Sequence, residues 1–199
     1  YPAGIEARYT QLPESTPQAL GDFTRNLTAN ANNPYDTAAV IEQWLINEKN
    51  YSLDVSNPSG NVAAQFLFEM DAGYCLYFAT TMVAMLRSQD IPTRMAVGYT
   101  TGQQVNDDTY VVRALNSHSW VEVYFPGHGW VSFDPTPAGP RNDLRTELVN
   151  EARETGEDNV DTNLSAGQPA TFTDSDEAQE SVGSDAENQS VGEVGGDLQ

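Results

Sequence analysis

Three residues of this 199-residue chain have types and positions that suit covalent chemistry: Cys75, His118 and Asp134. Cys75 is the only cysteine. A thiol becomes a nucleophile when it ionises, which an imidazole or a helix N-terminus promotes. An imidazole in turn works as a base when a carboxylate holds its tautomer. A lone cysteine can equally be a small buried hydrophobe. The surrounding sequence separates these readings.

From Cys75, the apolar and small residues Ala79, Met82, Val83 and Leu86 follow at steps of four, three, one and three, one face of a helix spanning about 75–89. Asp90 stands where a helix usually ends in glycine and Pro92 forbids continuation, so a strand through Met95, Val97 and Tyr99 is expected next. Cys75 then lies at a helix N-terminus, where the macrodipole favours thiolate. Residues 118–133 read as two strands joined by a Pro-Gly turn. His118 opens the first strand and Asp134 follows the second. In an antiparallel hairpin these ends are neighbours, which gives a base beside its orienting group.

The sequences around these residues are G-Y-C-x-x-F-A, R-x-x-x-I-P-x-R-x-x-x-G-Y, H-S-W-V-E-V-Y and G-W-V-x-F-D-P-T. Together, over about residues 34–138, they resemble the transglutaminase-like superfamily, and more closely its membrane-associated bacterial and archaeal branch. The resemblance implies an α+β, papain-like fold with the cysteine helix packed on an antiparallel sheet. It also implies Cys75 as nucleophile, His118 as base and Asp134 as the residue orienting the imidazole. Ser119 departs from the usual alanine, a small-for-small change expected to leave the triad alone. Leu76-Tyr77 replaces a more polar pair, and Gln89-Asp90 replaces a small residue and glycine. Trp120, two residues after His118 on the same face, and Tyr74, beside the cysteine, are candidate cleft residues. Gln65 is either an oxyanion donor or a solvated helix residue. A backbone N–H at Cys75 is the better oxyanion candidate.

Acidic residues number 29 against 9 basic, for a net charge of −20, and Lys49 is the sole lysine. Residues 1–140 hold 14 acidic and 6 basic residues, net −8, and the remainder 15 and 3, net −12. Nucleic acid is excluded as a partner because phosphate binding needs a basic surface. An acidic surface nearly free of lysine reads as adaptation to high salt, and the source as haloarchaeal. No cofactor is expected. Asp107-Asp108 reads as a solvated pair rather than a calcium site, and no metal is assigned. His128, between two glycines, reads as a turn residue, Trp130 as core, and Glu122 as either lining the cleft floor or, the safer reading, paired with Arg94 or Arg113. No run of 18 apolar residues occurs, and the chain begins at Tyr1 rather than methionine, which reads as an excised piece or processed product. Asn26, Asn163 and Asn188 begin Asn-x-Ser/Thr triplets, which permit glycosylation outside a cell. By the resemblance, the domain is a soluble piece of an extracytoplasmic, membrane-anchored protein.

Along the chain, 1–33 is expected to cover the core, with a short helix carrying Leu20, Phe23 and Leu27. The catalytic core runs over 34–140, opening with a helix capped by Asp36 or Thr37 whose apolar face includes Val40, Ile41, Trp44 and Leu45. A short strand is expected at Tyr51–Val55 and a polar loop at Thr101–Asp108. A polar extension occupies 141–154, and 155–199 reads as a disordered acidic linker, with too little apolar surface to offset ordering entropy. The expected activity is acyl transfer from a protein or peptide amide through a thioester, to water or to an amine. A peptide- or surface-polymer-binding module and a salt-tolerant spacer are the rival readings. Neither rival needs all three of Cys75, His118 and Asp134.

Overall fold

A computed structural model describes residues 1–139. The expected polar extension and acidic linker lie outside the described residues. The elements run α1 (Ala3–Tyr9), α2 (Gln18–Leu27), α3 (Pro34–Glu48), β1 (Asn50–Tyr51), α4 (Val62–Phe68), β2 (Ala72–Gly73), α5 (Cys75–Arg87), β3 (Thr93–Tyr99), β4 (Gln103–Asn106), β5 (Thr109–Val111), a 3-10 turn (Ala114–Asn116), β6 (Ser117–Phe125) and β7 (Gly129–Phe133).

Local chemistry sets the helix starts. The Asn33 side chain accepts from the Asp36 N–H at 2.9 Å, with Pro34 in the first turn. The cap of α3 is therefore Asn33 rather than Asp36 or Thr37, since proline needs no N–H partner at that position. Asn61 likewise caps α4 by accepting from the Ala64 N–H at 3.0 Å. Thr24, fully buried on α2, satisfies its hydroxyl on the Leu20 carbonyl at 2.8 Å. Helix α1 lacks a legible period because none of its residues is buried.

The cysteine helix α5 is buried more widely than one stripe. Tyr77, Phe78, Ala84 and Met85 are buried with Ala79, Met82 and Leu86, while Val83 is only half-buried. The helix packs on β3 and β6 and also meets α2, α3 and α4, so little of its circumference faces water. At its end Ile91 N–H bonds the Leu86 carbonyl at 3.1 Å and Asp90 N–H bonds that of Arg87 at 3.0 Å. Asp90 takes φ +59°, the left-handed conformation that lets the chain reverse.

Strands β3, β6 and β7 form an antiparallel sheet in the order β3-β6-β7. Its buried face carries Val121, Val123 and Phe133 into the core shared with Leu20, Ile41, Leu45, Phe66 and the α5 residues. On the opposite face Arg94 donates to Glu122 at 2.6 Å and lies 4.2 Å over the Trp130 ring. Trp130 is thus not core. It is half-buried on the outer face, edge-on to Tyr9 at 4.8 Å and Tyr124 at 5.4 Å.

Two local expectations change. The strand expected at Tyr51–Val55 shrinks to Asn50–Tyr51, paired parallel with Ala72–Gly73, and a bend at Leu53-Asp54 and irregular backbone follow it. The expected polar loop contains β4, which pairs with β5 as a hairpin, and Asp107-Asp108 form its turn. His128 lies exposed on the β6–β7 turn.

Candidate active site

The β1–β2 pair delivers the chain to Cys75. Ser52 N–H bonds the Gly73 carbonyl at 2.9 Å, Tyr74 is extended, and α5 begins at Cys75. No side chain caps the helix there. The first-turn N–H groups of Cys75 and Leu76 have no acceptor within the helix, as in any α-helix.

Strand β6 brings the other two groups. His118 is buried, 6% exposed, and its Nε2 lies 2.8 Å from Asp134 Oδ2. A carboxylate only accepts, so Nε2 carries the proton and Nδ1 is left for the sulfur. Asp134 follows β7, where the register of Val121 with Phe133 sets it diagonally across from His118. The imidazole also hydrogen-bonds the Cys75 side chain. Cysteine, histidine and aspartate therefore form one connected chain from three elements.

Ser119 adds two more donors to the sulfur. Its hydroxyl donates to Cys75 Sγ at 3.8 Å, and its backbone N–H donates as well. Burial pushes the Cys75 thiol up, but the hydrogen bonds of His118 and Ser119, with the charge of His118, outweigh it. The net shift is downward from the ordinary thiol value. Among the described residues no three His, Cys, Asp or Glu gather to hold an ion.

Asp134 is itself held from behind. Its side chain accepts from the Thr136 N–H at 3.1 Å, and its own N–H donates to Glu42 Oε1 at 2.7 Å. Burial and the Asp134 charge raise the Glu42 carboxyl despite that bond, burial being the larger cause. Neither Ser119 nor Glu42 carried this role in the sequence. Ser119 read as a neutral replacement, and Glu42 lies 92 residues from its partner, a pairing only folding creates.

His118 stands between two hollows. A cleft of about 660 Å³ contains Cys75, His118, Ser119 and Tyr74. A shallower hollow on the far side contains His118, Trp120 and Asp134. Trp120 thus walls the aspartate side rather than the cysteine cleft, its ring near-parallel to that of His118 at 6.4 Å. Gly98, opposite His118 in the register, permits this, because a Cβ there would sit 3.0 Å from the indole. Gln65 is not in either hollow. Its carbonyl accepts from Gly60 N–H at 3.0 Å and its amide donates to Glu69 at 3.3 Å, so it ties a loop to α4.

This arrangement of a cysteine at the start of a helix packed on an antiparallel sheet defines a class. The sequence profile of the transglutaminase-like superfamily matches residues 21–135, more than half of the chain, and the chain belongs to that superfamily. It is similar to YebA of Bacillus subtilis, an uncharacterized protein, at 38% identity over 138 residues, which are 65% of this chain and 19% of YebA. It is similar to a protein-glutamine gamma-glutamyltransferase of Pseudomonas aeruginosa at 32% identity over 133 residues, 65% of this chain and 20% of that protein. The chain therefore spans about a fifth of the curated relatives it matches. Among solved structures, the periplasmic domain of TgpA from Pseudomonas aeruginosa bound to ethylmercury superposes with TM-score 0.62 at 28% identity, over 69% of this chain and 51% of that one.

Proposed function

We propose that this domain is a cysteine-dependent acyl transferase acting on protein or peptide amides, with Cys75 as nucleophile, His118 as general base and acid, and Asp134 as the residue that orients the imidazole. The observation that carries this reading is the hydrogen-bonded chain from Cys75 through buried His118 to Asp134. The Cys75 thiolate attacks the amide carbonyl and a C–S bond forms. The oxyanion faces the first turn of α5, whose backbone N–H groups suit it. His118 gives its proton to the leaving nitrogen as the C–N bond breaks, which yields a thioester and neutral imidazole. His118 then takes a proton from the acceptor, which attacks the thioester and restores the thiolate.

Among acyl donors we favour the glutamine carboxamide, since the Pseudomonas relative is named a protein-glutamine gamma-glutamyltransferase. Ammonia is then the leaving group, and a primary amine or water the acceptor. We further propose an extracytoplasmic setting for the domain, supported by the periplasmic source of the TgpA domain, and attachment to a membrane through other parts of the protein. No described helix is long and apolar enough to cross a membrane itself.

The test pairs a glutamine-bearing protein whose lysines are blocked with a fluorescent primary amine, reading amine incorporation and ammonia release together. Both are expected for the native chain, and Cys75→Ala should lose both by about 10³-fold or more without loss of helical circular dichroism. Ammonia without incorporation would assign water as the acceptor. Turnover surviving in Cys75→Ala would overturn the mechanism.

A further inference from the structure

The cleft at Cys75 has a composition unlike the rest of the surface. The chain carries a net charge of −20, yet among the described residues no Asp, Glu, Lys or Arg lines this cleft, and of those residues His118 is the titratable one besides the cysteine and tyrosines. Three of the large apolar residues that the fold leaves exposed gather there instead: Leu53 at 50%, Val97 at 69% and Tyr99 at 64% exposure. They come from two separate parts of the chain, the bend after β1 and the end of β3, so no single run of apolar sequence accounts for their meeting. Leu76 and Leu115 complete the apolar wall.

The β3–β6 register explains the shape. Val97 lies opposite Ser119 and Tyr99 opposite Ser117. Bulky side chains on one strand face small ones on the other, so the strand pair forms a groove with a low serine floor. That floor leads to the sulfur, because Ser119 is the residue bonded to Cys75 Sγ. A volume of about 660 Å³ falls in the range of pockets that enclose a ligand. Exposed apolar side chains gathered beside a nucleophile cost solvation unless an apolar group covers them.

We infer that this groove is the acyl-donor subsite and that it selects an uncharged peptide segment with an apolar side chain, such as leucine, beside the reacting glutamine. The inference rests on the acyl-transfer reading for the identity of the reacting group. Its own content is the chemistry of the flanking residues. Acidic flanks are rejected because the only cation among the described lining residues is His118, already paired with Asp134 and the sulfur, and desolvating an unpaired carboxylate is costly. Basic flanks are rejected because no carboxylate among the described residues lines the groove to pair with them.

The test uses the single thiol and the full chain. The rate of Cys75 alkylation by iodoacetamide is followed by mass spectrometry in the presence of Ac-Leu-Gln-Leu-NH₂, Ac-Glu-Gln-Glu-NH₂ or Ac-Lys-Gln-Lys-NH₂, each rate normalised to the same protein without peptide. The leucine peptide is expected to protect at a concentration at least about tenfold lower than either charged peptide. In Val97→Lys, whose side chain is exposed enough to be replaced without entering the core, that ratio should collapse and the glutamate peptide should gain. Equal protection by all three peptides, better protection by a charged one, or protection by none overturns the inference. Failure of the acyl-transfer reading is seen separately, as peptide protection that obeys the expected order while no peptide is turned over.

Discussion

At Cys75 the sulfur feels opposing influences, and their balance sets its reactivity. Burial favours the neutral thiol, whereas His118, the Ser119 hydroxyl and the Ser119 N–H favour thiolate, and the donors win. A pKa below that of a free thiol means the thiolate persists as pH falls below about 8.5. Alkylation of Cys75 should therefore persist to a lower pH than that of a free thiol. Removing one donor moves the titration upward. Ser119→Ala should shift the alkylation profile to higher pH and slow the reaction at pH 7 by roughly two- to tenfold. His118→Ala should shift it further. A Ser119→Ala profile that overlays the native one would show that the 3.8 Å contact carries no energy. Glu42 acts one step further out, since it holds the backbone of Asp134.

At the scale of elements, the start of α5 depends on how closely its neighbours pack. Gly73 closes β2 two residues before Cys75, and a Cβ there would lie 2.6 Å from Tyr77 Cδ2 and 2.7 Å from Phe66 Cε2. Both rings are buried and neither has room to retreat. Gly73→Ala should cost about 1–3 kcal/mol in a urea titration, and it should lower Cys75 reactivity in the fraction that remains folded, because relief of the clash moves the helix start. Unchanged stability would mean that the β1–β2 pair shifts freely. The other end of α5 is tied by the Arg87 guanidinium, which donates to the Thr93 carbonyl at 2.9 and 2.8 Å and to the Gln11 carbonyl at 2.8 Å. These bonds join the helix, the first strand of the sheet and the N-terminal segment.

For the whole molecule, like charge is the main opposing electrostatic force: residues 1–140 carry a net −8 and the remainder −12. Raising NaCl from about 0.1 M to 1 M shortens the screening length from about 10 Å to 3 Å. The thermal midpoint should rise by a few degrees over that interval. A midpoint that falls or stays constant would remove the argument for a salt-adapted surface. The sequence by itself determined the local signals: the period that makes α5 a helix, the turn that makes β6 and β7 a hairpin, and the spacing that brings His118 to Asp134. Such features depend on neighbours within a few residues, or on the fixed geometry of a hairpin. Tertiary structure alone decided what distant segments do to one another. It set Ser119 on the sulfur and Glu42 behind Asp134. It turned Trp120 to the aspartate side, took Gln65 away from the cleft, and gathered Leu53 and Val97 at its rim. A side chain's partner across 92 residues is chosen by packing, and packing has no period for a sequence to display.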